Sequence, residues 1–224
     1  TESAIKLSTQ RAVIGGGSDT ATKFAVQDAD SNNILLVDTT NDLVKAGTTQ
    51  TTVNTQVQGF NLTSTNGQPS VSGRWVTLSS LGHSRFQTEL TLGTGSTPET
   101  SYTIATTADD LVQAMWYVPF DITIDSCNVW FGADDASGDT VKFSVMSYTV
   151  DSANGSTGGD LSSAVENCVS PSTIAGAGYE QAYYQALTVS TADVDAGKVI
   201  IACVHQDGTN ADLTVNMQLV YHIR

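Results

Sequence analysis

Leu213-Thr-Val-Asn-Met-Gln-Leu-Val-Tyr-His-Ile223 puts Leu213, Val215, Met217, Leu219, Tyr221 and Ile223 on one parity and mostly polar residues on the other. Successive side chains of a strand point to opposite faces, so this alternation reads as an antiparallel strand with one face in a core and one in solvent. His222 falls on the solvent parity and is expected at the surface. Just upstream, Lys198-Val-Ile-Ile-Ala-Cys-Val204 is apolar on both parities, which predicts a central strand covered on both faces. Val141, Phe143 and Val145 share a parity, and so do Val112, Ala114, Trp116 and Val118.

The strands expected from these patterns are Tyr102 to Thr106, Val112 to Val118, Ile122 to Phe131, Thr140 to Val150, Ala182 to Val189, Lys198 to His205 and Asp212 to Ile223. The connectors carry turn chemistry suited to positive φ or to side-chain closure: Asp134 to Asp139, Asn154 to Gly159, Asp195-Ala-Gly197 and Asp207-Gly208. This many strands in about 120 residues predicts an antiparallel β-sandwich of jelly-roll type over residues 101–224.

Upstream the pieces are shorter. Ala12 to Ile14, Phe24 to Val26, Ile34 to Val37 and Leu43-Val44 recur at intervals of roughly ten residues, the spacing of a meander of short strands. Such strands bury too little surface to offset about 1–2 kcal/mol of backbone ordering per residue, so they need a partner. The C-terminal domain is one candidate, and copies of the same segment from neighbouring chains fit that need better. Thr48 to Val57 is polar and β-prone and reads as a linker or extended arm. Phe60 to Leu62, Arg74 to Leu78 and Phe86 to Leu92 read as further strands. The expected fold class is therefore all-β: an extended attachment and oligomerisation segment (1–57), a small β region or linker (58–100), and the sandwich (101–224).

Charge divides the chain in the same way. The first hundred residues hold six bases and eight acids; the rest hold three bases, Lys142, Lys198 and Arg224, against fifteen acids. The net charge of -14 excludes nucleic acid and anionic membrane as natural partners, since both require a cationic footprint. No apolar run approaches the roughly 18 residues that span a bilayer, and no signal-like segment opens the sequence, so a soluble protein not exported by the general route is expected. Cys127, Cys168 and Cys203 form no CxxC pair and read as buried free thiols.

Chemistry-bearing patterns are few. His83, His205 and His222 accompany no nucleophile or metal motif, so no enzyme, cofactor or metal centre is expected. Asp28-Ala-Asp30-Ser-Asn32 begins like a calcium loop, but Asn33 stands where a glycine belongs and Thr39 where a glutamate belongs, so a hairpin turn with Asx hydrogen bonds is favoured. Asp134, Asp135 and Asp139 could hold calcium, although solvated loop charges are the favoured reading. Gly15-Gly-Gly-Ser18 lacks the Lys-Ser/Thr of a phosphate loop and reads as a joint. Arg74, Trp75, His83 and Arg85 gather aromatic and cationic character, either as a binding or interface patch or as a core Trp with surface arginines. Tyr179, Tyr183 and Tyr184 pose the matching choice between a sugar-binding platform and a half-buried strand.

The stretch Phe24-Ala-Val-Gln-Asp-Ala-Asp-Ser-Asn-Asn-Ile-Leu-Leu-Val-Asp-Thr-Thr-Asn-Asp-Leu-Val-Lys-Ala-Gly47 resembles a segment of fibre and other structural proteins of tailed bacteriophages. Trp116 to Phe120, Ala196 to Val199 and the closing Val-Tyr-His-Ile also look like sandwich domains at phage fibre tips. The resemblance implies a homotrimer in the virion, anchored to capsid or tail proteins by its N-terminal part and displaying a globular domain. It carries over no catalytic residue. The second function expected from the residues is a carbohydrate-binding module or adhesin that recognises a host-surface glycan through Trp75 or the tyrosines.

Overall fold

The structure is a computed structural model and describes residues 18–40, 43–47, 51–62, 73–81, 90–104, 107–133, 140–153, 155–175, 181–207 and 213–224. In chain order the elements are β1 (Phe24–Gln27), β2 (Asn33–Asp38), β3 (Leu43–Ala46), β4 (Thr51–Thr52), β5 (Thr55–Leu62), β6 (Arg74–Thr77), α1 (Ala108–Ala114), β7 (Trp116–Tyr117), β8 (Ile122–Ala133), β9 (Thr140–Val150), β10 (Leu161–Val169), β11 (Ile174–Ala175), β12 (Gln181–Val189), β13 (Asp193–Val194), β14 (Lys198–Gln206) and β15 (Leu213–Ile223). The chain divides into two compact units, Thr1–Asn54 and Thr55–Arg224.

The first unit contains an antiparallel meander in the order β1-β2-β3-β4. Its opening turn closes as the Asx reading expects: the Asp28 carboxylate accepts from the backbone N–H of Asp30 at 3.0 Å and of Asn32 at 2.8 Å, and from the Asn32 amide at 3.0 Å. Those bonds, the Asn32 side chain first, hold the Asp28 carboxyl below its usual pKa. Ser31 takes a left-handed φ of 67° at the bend. Two rows of paired residues, Phe24–Val37–Val44 and Val26–Leu35–Ala46, are apolar throughout and form an apolar patch on one face of β1, β2 and β3, which β4 continues with Thr51. None of the six is buried.

The second unit is an antiparallel sheet in the order β5-β15-β8-β12-β10-β9-β14-β6, curled into a sandwich. One wall is β5-β15-β8-β12 and the other β10-β9-β14-β6. They join at a short seam, where β12 meets β10 through Cys168↔Val189 and Val169↔Thr188. The inward parity of each strand fills the space between: Phe60, Val129, Phe131, Met217 and Leu219 from one wall meet Phe143, Val145, Ile200, Ala202 and Val204 from the other. Phe131 and Phe143 close the gap at 5.1 Å between ring centroids. This is the expected sandwich, of jelly-roll-like type, and β8, β9, β12, β14 and β15 occupy the stretches that alternation assigned.

β14 is covered on both faces, as its double apolar pattern requires. Ile200, Ala202 and Val204 face the main core, while Val199, Ile201 and Cys203 enter a second core with Trp75, Leu90, Leu92, Leu111, Met146, Tyr148 and Leu161. The cover over this second core comes from α1 and from residues 90–104. Tyr102 bridges to Leu161, and the buried Tyr148 hydroxyl donates to the Glu99 carbonyl at 2.9 Å.

Several expectations change. The stretch Val112 to Val118 is not one strand: residues to Ala114 end a helix that buries Leu111 and Ala114 and leaves Val112 exposed, and only Trp116–Tyr117 pair with β14. Tyr102 to Thr106 contributes a single bridge among its described residues. β10, which no pattern indicated, runs beside β9 with two register shifts and a left-handed Ser163, and these break its alternation. Residues 58–100 do not stand apart. β5 pairs with β15 along its length and β6 pairs with β14, so this stretch supplies the outer strand of each wall. Thr51–Thr52 and the residues from Thr55 are paired strands where a linker was expected. Ala12 to Ile14, Gly15 to Gly17, Phe86 and the loop bearing Asp134, Asp135 and Asp139 lie outside the described residues.

Candidate functional site

Of the residues singled out for binding, Trp75 is the deepest. It is 1% exposed, in the second core, and its indole N–H donates to the Gly95 carbonyl at 3.1 Å. The Lys142 ammonium lies 5.0 Å from the centre of the Trp75 ring and His205 packs edge-on to it at 5.2 Å. Trp75 is therefore a core anchor, and its ring offers no exposed face to a ligand. Arg74, the adjacent residue on an edge strand, is exposed. His83, Arg85 and Tyr179 lie outside the described residues.

The environment of His205 has a measurable consequence. Burial first, and then the Lys142 ammonium, lower its pKa, with Asp207 acting in the opposite sense. The folded state thus resists protonating His205, whereas the unfolded chain takes the proton at about 6.5. Stability is accordingly lost as pH falls from about 6.5 toward the lowered folded value. We expect urea midpoints measured at about pH 7 and pH 5 to fall more in the wild type than in His205→Asn; parallel curves would contradict this assignment.

Tyr183 and Tyr184 separate across β12 as period two demands. Tyr183 turns inward and stacks on Phe131 at 4.9 Å, its hydroxyl buried without a partner. Tyr184 turns outward, 55% exposed, beside Trp130, which is 48% exposed. The two residues are directly paired across β8 and β12, with ring centroids 4.8 Å apart and planes inclined by 48°. The Tyr184 hydroxyl donates to Asn128 Oδ1 at 2.8 Å, which fixes the ring on the sheet. Trp130 was not singled out from the sequence. Its signal is an aromatic residue on the outward parity between inward Val129 and Phe131.

His222 is buried rather than on the surface. The register between β15 and β8 steps from Val220↔Ser126 to Tyr221↔Ile124, so Asp125 is an extra residue in a bulge. The bulge brings the Asp125 carboxylate to 2.9 Å from His222 Nδ1. Near the same end of the sandwich, a cleft of about 170 Å³ is lined by Gln56, Trp116, Tyr117, Phe120, Tyr221 and Ile223. Trp116 and Tyr221 pack at 5.0 Å and the Tyr221 hydroxyl donates to Gln56 Oε1 at 2.9 Å. The cleft is small beside the roughly 300–1,000 Å³ of pockets for drug-sized ligands, so its scale suits one side chain.

The chain matches no protein-family model and no curated protein. Function therefore rests on the geometry. Among the described residues no three of His, Cys, Asp or Glu converge as metal ligands, and no helix is long and apolar enough to cross a membrane. All three cysteines are free and buried, and the hydrogen bond between Cys127 and Cys168, followed by burial, raises the Cys127 pKa, which keeps this thiol protonated at neutral pH.

Proposed function

We propose that this chain is a structural protein of a tailed-bacteriophage particle. It assembles as a homotrimer through its N-terminal segment, docks on other virion proteins of capsid or tail, and displays the sandwich outward. One observation carries the reading: the apolar face Phe24, Val26, Leu35, Val37, Val44 and Ala46 of the meander, on which no side chain is buried. A solitary sheet with such a face forgoes about 1.5–3 kcal/mol for each large apolar side chain it leaves wet. Three copies that turn these faces inward around one axis recover much of it, and closed rotational symmetry leaves no further face open for growth. The phage-like segment Phe24 to Gly47 coincides with this meander. The acidity of the rest of the chain supports an outward position, because mutual repulsion keeps particles dispersed.

Mass in solution tests the proposal. Light scattering on the full chain is expected to give three times the 23.5 kDa of one protomer. Leu35→Asp with Val37→Asp, which place two charges in the centre of the apolar face, should yield a monomer whose sandwich melts as before. A wild-type monomer at micromolar concentration would sink the assembly.

A further inference from the structure

The outer face of the β5-β15-β8-β12 wall differs in chemistry from the rest of the acidic half. These four strands contain one carboxylate, Asp125, and one histidine, His222, and the two are paired with each other. Trp130 lies five residues from Asp125, about 16 Å along the strand. Around the Trp130–Tyr184 pair the outward positions are amides and small residues. Asn216 and then Asn61 continue the same row across β15 and β5; Asn128 and Gln218 occupy the next row. Asn216 and Gln218 are exposed. On the other side of the rings, Gly132 pairs with Ala182 and Thr214, and a Cβ added to Gly132 would meet nothing within 4 Å. The two rings therefore stand above a low neutral surface with amides along one flank.

We infer that the Trp130–Tyr184 face binds an uncharged hexopyranose unit of a glycan. Each feature matches one part of such a sugar. A pyranose has an apolar C–H face, which an exposed aromatic ring covers with little loss of conformational freedom. Its rim carries hydroxyls that donate and accept together, as primary amides also do. Asn128 Oδ1 already accepts from Tyr184, so its NH₂ is the part that donates to a hydroxyl. A sulfated or uronic-acid unit would meet no cation on this wall and the -14 charge of the whole chain. Among the described residues a metal ion would find no carboxylate beside the rings. A hydrophobic protein surface would leave the amide flank unpaired. The inference is independent of trimer formation, since all of its residues lie in the second unit, and the two can fail separately.

The test uses the full chain with maltohexaose, cellohexaose, mannohexaose and galactohexaose as neutral probes and a heparin hexasaccharide as the charged one. Trp fluorescence and saturation-transfer NMR report binding. At least one neutral probe should bind, with a Kd that changes less than about twofold between roughly 50 and 500 mM salt. Trp130→Ala and Tyr184→Ala should each weaken it about tenfold or more, with unchanged melting because both side chains are exposed. Tyr184→Phe keeps the ring but releases Asn128 and should cost less. Absence of binding by all four neutral probes at about 10 mM would overturn the inference. So would binding that survives both alanine variants, or a preference for heparin that fades with salt. A fall in oligomer mass in Trp130→Ala would assign the face to a second copy instead.

Discussion

Replacing Trp75 with alanine is expected to lower the stability of the sandwich unit by about 3–5 kcal/mol, while the same truncation at Trp130 changes it by less than about 0.5 kcal/mol. The two residues are both tryptophans on β-strands, and only their positions separate them. Trp75 is 1% exposed and fills the second core, so its removal leaves a void that the surrounding strands cannot follow. Its indole N–H bond to Gly95 is lost, and Lys142 and His205 lose the ring on which they pack. Domains of this kind are held by about 5–15 kcal/mol in all, so the Trp75 variant sits near the threshold of folding. Trp130 at 48% exposure leaves no void, and the sheet hydrogen bonds beneath it are untouched. Urea midpoints at constant slope measure both. A Trp75→Ala loss below about 1 kcal/mol would show that the second core contributes little.

The same comparison marks how far the sequence is legible. Alternation is plain wherever one face of a strand meets the core and the other meets water, hence the close agreement for Leu213–Ile223. A run such as Lys198 to Val204 announces burial on both faces, though not what lies on the second one. That cover is partly a helix, and its last three residues read as strand because Val112 and Ala114 continue the parity of Trp116 and Val118 by coincidence. Helical geometry instead buries Leu111 with Ala114, three residues apart. β10 was invisible because its bulges reset the parity twice within nine residues. The bulge at Asp125 turned His222 from an expected surface residue into a buried one. The binding candidates suffered from the converse problem. Trp75 attracted notice through neighbouring arginines, while Trp130 is framed by residues that look like ordinary core. Composition locates aromatic residues; only register says which face they occupy.

Strand register also decides where the chain can be cut. A fragment of residues 101–224, the limits suggested by charge and turn spacing, is expected not to fold, whereas residues 55–224 should give a cooperative unit. The shorter fragment lacks Thr55–Leu62, paired with β15 over eight positions, and Arg74–Thr77, paired with the end of β14. It loses Phe60, Leu62, Val76 and Leu78 from the main core and Trp75, Leu90 and Leu92 from the second, all at most 3% exposed. Each fully buried side chain of this kind contributes about 1.5–3 kcal/mol, so their joint loss, roughly 10–21 kcal/mol, is as large as the roughly 5–15 kcal/mol by which a domain is stable. The cut also bares β15 and β14 along their outer edges, with free N–H and C=O groups beside strongly apolar strands, an arrangement that favours aggregation. The longer fragment keeps both walls and the whole cover, and its boundary falls where the two compact units divide. Circular dichroism and thermal melting distinguish the outcomes. A cooperative melt from 101–224 would mean that β8, β9, β12, β14 and β15 suffice alone. Failure of 55–224 would mean that the sandwich depends on the N-terminal unit for its fold.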